Sequence, residues 1–338
     1  MLNYSSKIFF SVIFILICLN GSNSFAQLTA KNLVVSSCTD SGFHCTEFNH
    51  FVDNKKLINQ RDSLSSILGI KSQPKPKFHS NRLILSSIGL LTLNVAAYQP
   101  FKKTWWDAER TNFHFYQGWR RTKGYLDFGW YDSYCWHIDK MGHYYSSRIL
   151  SEQLTYLSRW IGFSDNSSKW IGPIISSLLM LEIEIYDGFF KEWGFSLADF
   201  TANELGAFSP MVENKIPVMN NFIFKLSYQA SNQPKNEPTF VKDYPGMTFW
   251  VSWNISTILP KDFKNYYPEW LNLALGYSVT KYAHGDVELY IAPDINWEKV
   301  AIGNSDTAKF IKRVLNYFHF PCVTWQFKPK SKFYLFYY

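Results

Sequence analysis

Ionisable and amide side chains recur at helix-compatible spacing inside an otherwise apolar, aromatic segment of the chain. The series begins with Asp-Lys-Met-Gly-His at residues 139–143 and continues with Glu-Ile-Tyr-Asp-Gly at 184–188. It ends with Gly-Phe-Ser-Leu-Ala-Asp at 194–199 and Asn-Glu-Leu-Gly at 203–206. Because a buried polar group is costly unless it is paired, we expect specific partners to hold these side chains.

Three pairs in this series have the separation that puts two side chains on one helix face. The pairs are Asp139 with His143, Asp199 with Asn203, and Glu184 with Asp187. If the three helices pack together, carboxylates, an imidazole and an amide converge, which suits acid–base chemistry or an oxygen-rich metal site. All six residues are candidate catalytic groups, and the candidate metal ligands are His143, Glu184 and Asp187.

The same series also has a purely structural interpretation, which we favour. Aspartates and serine can cap helices, a lysine can pair with a carboxylate, and the histidine can be a hydrogen-bonded core residue. The glycines would let backbones approach closely or end helices. The residues with a predicted structural role are Lys140, Gly142, Gly188, Ser196 and Gly206. A hydrolytic or metal site and a site for a lipid or glycan headgroup are the alternatives.

Signatures of other enzyme classes are missing from the sequence. It contains no Gly-x-Gly-x-x-Gly fingerprint, and Ser196 lacks the second glycine of a nucleophile elbow. Hydrolysis through an activated serine is therefore not expected, and no cofactor is indicated beyond a divalent metal.

The ordered polar series resembles a known bacterial family. Asp-Lys-x-Gly-His, Glu-x-x-Asp-Gly and Gly-Phe-Ser-x-x-Asp-x-x-x-Asn-x-x-Gly are similar to the YfiM-like group, a domain-of-unknown-function family of predicted periplasmic lipoproteins, over about residues 100–210. The strand-rich C-terminal third resembles the extension of longer family members. A weaker likeness, in the order of the motifs, links the chain to VanZ-like membrane proteins. The resemblance implies an envelope protein and supplies no reaction.

The N-terminal segment has the features of a secretory signal peptide. One lysine precedes the apolar run from Ile8 to Leu19, and Ser24-Phe-Ala26 is a small-x-small cleavage signal. A lipoprotein signal at Cys18 is the alternative, but Ile17 stands where a small residue is expected. We therefore predict an exported protein of a bacterial envelope, located in the periplasm or the outer membrane.

Aromatic residues make up 19% of the chain, with 13 Trp, 21 Tyr and 29 Phe. Such rings favour interfaces that are apolar on one side and wet on the other, including membrane surfaces. The formal charge of +7 is modest and Lys/Arg runs do not exceed pairs, so nucleic-acid binding is not expected. Membrane lipid or an envelope glycan is the expected partner.

Four cysteines follow the predicted signal peptide. They are Cys38, Cys45, Cys135 and Cys322. An exported chain permits disulfides, and Cys38 and Cys45 are close enough to close a small loop, although spacing alone does not fix the pairing.

Apolar periodicity predicts a helical region at residues 81–212, after an N-terminal arm at 27–80 that ends in a Pro/Lys-rich linker. The run from Asn81 to Tyr98 predicts a helix that is packed rather than spanning, because it is short for a bilayer. Three further helices are predicted, from Asp139 to about Trp160, from Trp170 to Tyr186, and from Ser196 through Ala207, where Pro210 closes the helix.

Residues 213–338 change to a period of two, which predicts strands. The predicted strands are 222–228, 249–255, 271–279, 287–291, 323–327 and 333–338, with one helix at 306–317. Their apolar face either packs on the helical region or faces lipid as an outer-membrane β module with a helical plug. Six strands are too few for a complete membrane barrel.

The fold class predicted from these patterns is α+β, a helical domain followed by an antiparallel β domain. The predicted function is that of an exported, membrane-associated envelope protein with a structural or lipid- or glycan-binding role. The alternatives are an envelope hydrolase that uses the Asp/His/Glu/Asn set, with or without a metal, and the outer-membrane β module.

Overall fold

The computed structural model describes residues 76–118, 128–130, 135–231, 242–281 and 285–338. Within these ranges, a helical region precedes a six-stranded antiparallel sheet, which confirms the α+β class. The predicted signal peptide, most of the N-terminal arm, and Cys38 and Cys45 lie outside the described residues.

The helices and strands follow the order in which the sequence predicts them. The helices are α1 (Ser80–Thr104), α2 (Ile138–Ile161), α3 (Asp165–Asp187), α4 (Leu197–Lys215), α5 (Lys261–Lys264) and α6 (Asp306–Leu315). The strands are β1 (Phe222–Tyr228), β2 (Met247–Trp253), β3 (Leu271–Val279), β4 (Val287–Ile295), β5 (Cys322–Lys328) and β6 (Lys332–Tyr337). Each strand pairs with the next in an antiparallel meander.

Helix α4 extends past Pro210, where the sequence predicts its end. Proline has no N–H, so the carbonyl of Gly206 lacks its ordinary backbone donor. The hydroxyl of Ser209 donates to that carbonyl at 2.8 Å instead. The added turn brings Glu213 to Arg148 of α2, and the two form a buried ion pair. The predicted end was wrong because a side-chain donor replaced the missing backbone donor.

Helix α1 also differs from its predicted state, because most of its apolar surface is exposed. It has 25 residues and continues through Pro100, and only 17% of its most apolar stretch is buried. Leu83 packs against Ile161 of α2, but Leu85 and Leu93 are among its exposed side chains. At 1.5 Å per residue the helix is about 37 Å long, enough to cross the roughly 30 Å hydrocarbon core.

A sheet with one face in water usually buries its apolar face and exposes its polar face. In this sheet the polarity of the two faces is reversed. Along β3 the small and polar residues are buried, whereas the large apolar residues point outward, as at Leu275. The apolar positions align across all six strands in an outer row, which consists of Phe224, Val251, Leu275, Ile291, Trp325 and Phe333. The sheet is strongly curved, since the hydroxyls of Thr248 in β2 and Tyr337 in β6 lie 3.0 Å apart.

The helical region and the sheet share a hydrophobic core. Ile138 and Tyr145 of α2 pack in one cluster with Leu226, Met247 and Phe249 of the first two strands. Helix α2 therefore covers the β1–β2 end of the outer face. The β3–β6 end of that face is exposed at Leu275, Trp325 and Phe333.

Candidate functional site

The polar series converges where α2, α3 and α4 pack on one another. Close approach of α4 to α2 requires Gly206, because an added Cβ would lie 2.2 Å from the carbonyl oxygen of Tyr144. At Gly188 an added Cβ would meet the ring of Phe113 at 2.4 Å, whereas at Gly142 it would make only an ordinary contact. We call the convergent side chains the helix cluster, which consists of Asp139, Lys140, His143, Glu184, Asp187, Asp199 and Asn203.

Lys140 lies between two carboxylates of different helices. Its Nζ is 2.7 Å from Oδ2 of Asp139 and 2.6 Å from Oδ1 of Asp199. Asp199 is held at this place because the hydroxyl of Ser196, the N-cap of α4, accepts a hydrogen bond from its backbone N–H at 3.1 Å. One ammonium group therefore joins α2 to the first turn of α4.

His143 is the centre of a second set of contacts among the three helices. Its Nδ1 lies 3.0 Å from Oδ1 of Asn203 and 3.3 Å from Oε1 of Glu184, and its Nε2 lies 3.7 Å from Oδ1 of Asp199. The amide of Asn203 donates to Oε1 of Glu184 at 3.0 Å. Asn203 and Glu184 are fully buried, whereas 23% of the His143 side chain is exposed.

Asp187 is connected to the end of α1 rather than to the other cluster residues directly. The indole N–H of Trp106 donates to its Oδ1 at 2.6 Å, and the Trp106 ring stacks on Tyr186 at 4.8 Å. Glu182, two residues before Glu184, accepts from Asn94 of α1 at 3.0 Å. Glu182 and Glu184 therefore differ in what they contact, because Glu182 binds α1 whereas Glu184 binds Asn203 in the helix cluster.

Burial and neighbouring charges divide the carboxyl groups of the cluster into two kinds. Burial, together with repulsion by Asp199 and Asp187, raises the pKa of Glu184 well above its usual range. Burial raises the pKa of Asp187 to about 7, against the hydrogen bond from Trp106. Burial would also raise the pKa of Asp199, but Lys140 and His143 hold it below its usual value. Neutral and ionised carboxyls therefore coexist near pH 7.

The candidate metal ligands are engaged with other side chains. Among the described residues, no three His, Cys, Asp or Glu residues are grouped so that they could hold a metal ion. Glu184 contacts Asn203, Asp187 contacts Trp106, and His143 lies against an amide oxygen. The geometry is that of paired polar groups between helices.

The helix cluster lies in the segment of the chain that matches a known protein family. Residues 127–215 match the family described as Predicted periplasmic lipoprotein (DUF2279). The match confirms the family resemblance and contains every residue of the helix cluster. The family description supports an exported, envelope location. Searches of curated proteins and of solved structures found no match.

A second polar group, inside the sheet, was missed by the sequence analysis. Lys225, Asp294, His319 and Cys322 form this inner cluster, in which Nζ of Lys225 lies 2.7 Å from Oδ2 of Asp294. The signal was present, because Lys225 is a lone cation in the apolar strand Phe-Ile-Phe-Lys-Leu. The alternation of the strands predicts one polar face without saying where it lies, and the structure places that face inside.

Proposed function

We propose that this protein is a membrane-associated envelope protein that contacts lipid through the outer row of β3–β6 and the exposed face of α1. In this proposal the helix cluster locks the helices that carry α1 and the sheet. The observation that carries it is the reversed sheet, which buries its polar side chains and exposes its apolar ones.

The exposed end of the outer row is continuous. Leu275 pairs with Ile291, which pairs with Trp325, and Trp325 pairs with Phe333. The exposed fractions are 54% at Leu275 and 63% at Phe333, and Leu335 on the same strand reaches 69%. At about 25 cal/mol per Å² of apolar surface removed from water, such a row favours an apolar medium.

Contacts between polar side chains inside the sheet fix the register that places the apolar side chains outside. Lys225 has no exposed side-chain surface and pairs with Asp294, while the hydroxyl of Ser252 donates to the same carboxylate at 2.5 Å. Shifting a strand by one residue would move its apolar outer side chains into the polar interior; in β1 it would also bring Lys225 outward without a partner. Apolar residues outside and polar residues inside are typical of strands that face lipid.

Helix α1 supports the same interpretation independently. Lys102 and Lys103 occupy its last turn, the partly exposed Trp105 follows it, and Arg82 lies near its start. Cations and tryptophans at the ends of an apolar helix are typical of segments at a membrane interface. The matched family is described as predicted periplasmic lipoprotein, which agrees with a location in the envelope.

The experiment is flotation of the purified protein with phospholipid vesicles on a density gradient. We expect the parent protein to float and a Leu275→Gln/Trp325→Gln/Phe333→Gln variant to remain at the bottom. A matched triple variant with Lys169→Gln, Glu204→Gln and Lys309→Gln, away from the outer row, should float as the parent does. Thermal melting of each variant checks its fold.

Two results would contradict the proposal. The first is flotation of the outer-row variant to the same extent as the parent. The second is a parent protein that stays at the bottom and forms a dimer in solution, because β6 is an unpaired sheet edge that a second copy could extend. Analytical ultracentrifugation without vesicles detects that dimer.

An envelope hydrolase is the second candidate function, and one observation favours it. A buried acid with a raised pKa, Glu184, lies beside a partly exposed histidine, a combination that is frequent in active sites. If His143 acts as an acid or base, His143→Gln should abolish hydrolysis of envelope lipid or glycan extracts while the melting temperature changes little. A variant that only melts lower would support the structural interpretation.

A further inference from the structure

The interior of the sheet holds a thiol, an imidazole and a carboxylate in a line. The Sγ of Cys322 lies 3.4 Å from Nε2 of His319, and Nδ1 of the same ring lies 2.9 Å from Oδ1 of Asp294. Asp294 is ionised beside Lys225, so Nδ1 carries the proton and donates it. Nε2 therefore faces the sulfur, whose S–H donates to the carbonyl of Pro293 at 3.3 Å in the resting arrangement.

The imidazole is held rigidly in this orientation. Its ring stacks on Trp250 with centroids 3.9 Å apart, and its side chain has no exposed surface. The second oxygen of Asp294 is fixed by Lys225 and by the hydroxyl of Ser252. A nucleophile, a base within reach of it, and a third group that orients the base are the parts of a nucleophilic site.

We propose that Cys322, His319 and Asp294 form a nucleophilic site that accepts a carboxylic ester with an uncharged acyl group. Cys322 is the catalytic nucleophile, His319 is the general base, and Asp294 is a positioning residue that acts through His319. This activity is separate from lipid contact by the outer row and from the helix cluster.

The proposed reaction is an acyl transfer in two steps. The sulfur attacks the ester carbonyl carbon and passes its proton to Nε2; the C–S bond forms, the C–O bond breaks, and the departing alkoxide takes the proton from His319. Water then attacks the thioester while His319 accepts its proton. The carboxylic acid leaves, and the proton returns to the sulfur, so atoms and charges balance without an oxidant or reductant.

The surroundings of the sulfur indicate an uncharged acyl group. The Cys322 side chain is partly buried on the inner side of the sheet, where Lys225 is already paired with Asp294. A charged acyl group would lose its hydration there without a counterion.

Burial of the sulfur makes the base necessary. Burial, with the nearby charge of Asp294, raises the pKa of the Cys322 thiol despite a contact with Thr324. A thiol that is not ionised at neutral pH attacks only as its proton is removed. The groups that face the imidazole are Cys322 on one side and Asp294, backed by Lys225, on the other.

The test uses p-nitrophenyl butyrate with the full-length protein, followed by mass spectrometry of the acylated thiol. We expect butyryl-Cys322 and release of p-nitrophenol above the buffer rate at neutral pH. Cys322→Ala should reduce the rate to the buffer background, and His319→Gln should reduce it about 10²-fold or more. Cys135→Ala removes a thiol outside the site and should leave the rate unchanged.

Measurements on the parent protein test the proposal even if a variant fails to fold. Hydrolysis at the buffer rate, or an acyl group on a cysteine other than Cys322, would overturn the proposal. Alkylation of Cys322 by iodoacetamide at neutral pH gives an independent readout, because a base beside the sulfur should make the alkylation faster in the native protein than in the unfolded protein. Equal alkylation rates in the folded and unfolded protein would also overturn it.

Discussion

At the scale of residues, the central feature is an ammonium group shared by two carboxylates that belong to different helices. Lys140 contacts Asp139 and Asp199 at hydrogen-bond distances, and each side chain is no more than 16% exposed. Buried ion pairs add little net stability when they form, but breaking one leaves an uncompensated charge. Lys140 should therefore be the residue on which the packing of α2 and α4 depends most.

We predict that Lys140→Met lowers the free energy of unfolding by about 3–5 kcal/mol, because two buried carboxylates lose their counterion. Thermal melting of purified protein measures the change. The control is Lys169→Met, which removes an ion pair with the mostly exposed Asp165 and should change the melting temperature little. If the two variants melt together, the helix cluster does not lock the helices.

Asp187 should make stability depend on pH. Its pKa of about 7 in the folded protein lies above the ordinary value of 3.8, so the folded state retains a proton that the unfolded state has lost. Its stabilising contribution is complete below about pH 4 and is lost as pH rises through 7. Glu184 acts in the same direction.

We predict that Asp187→Asn flattens this dependence, since the amide keeps an acceptor for Trp106 but does not titrate. The melting temperature of the parent should fall more between pH 5 and pH 8 than that of the variant. Asp165→Asn, at an exposed carboxylate, is the control and should retain the slope of the parent. Equal slopes for the parent and Asp187→Asn would show that Asp187 is not buried as described.

The sequence predicted those residues of the candidate site that can be identified from their spacing along a helix. Separations of three and four residues identified the side chains that converge, such as His143 and Asn203. The partner of Asp187 could not be predicted, because Trp106 lies 81 residues away, in the turn that follows α1. The inner cluster was missed because the alternation of β1 does not say which side of the strand is covered.

At the scale of elements, alternation and caps predicted most boundaries correctly. The strand at 271–279 and the start of the helix at 306 agree with the structure. Pro210 was misread because the Ser209 hydroxyl substitutes for its missing N–H. The exposure of α1 could not be predicted either, since an apolar helix has the same sequence pattern whether protein or lipid covers it.

Helix α1 yields a prediction that separates its two faces. Ile88→Gln and Leu93→Gln should leave thermal stability within about 0.5 kcal/mol, because both side chains are exposed, yet weaken vesicle binding. Leu83→Gln, which places an amide against Ile161, should lower the melting temperature. Melting and vesicle flotation measure the two effects. Unchanged vesicle binding in both exposed-face variants would remove α1 from the lipid-contacting surface.

At the scale of the whole molecule, the shared core joins the two regions that the sequence predicts as separate domains. Tyr145 of α2 packs on Phe249 of β2 and donates its hydroxyl proton to the carbonyl of Tyr317. Regions that share buried surface unfold together. We therefore expect the predicted boundary near residue 213 to separate types of secondary structure rather than units of stability.

We predict one thermal transition, with the same midpoint by far-ultraviolet circular dichroism and by tryptophan fluorescence. Phe249→Ala should shift both midpoints downward together, because it opens a cavity between helix and sheet; such truncations typically lower the free energy of unfolding by about 3–5 kcal/mol. Two separate transitions, with only one sensitive to Phe249→Ala, would show that the helical region and the sheet are independent.

The most direct test of lipid contact is photolabelling of the parent protein in vesicles that contain a phospholipid with a diazirine on its acyl chain. Mass spectrometry then maps the labelled residues. We expect adducts on the exposed outer row, at Leu275, Trp325 and Phe333, and on the exposed face of α1. Adducts absent from these positions, while the lipid labels loops or nothing at all, would contradict this expectation.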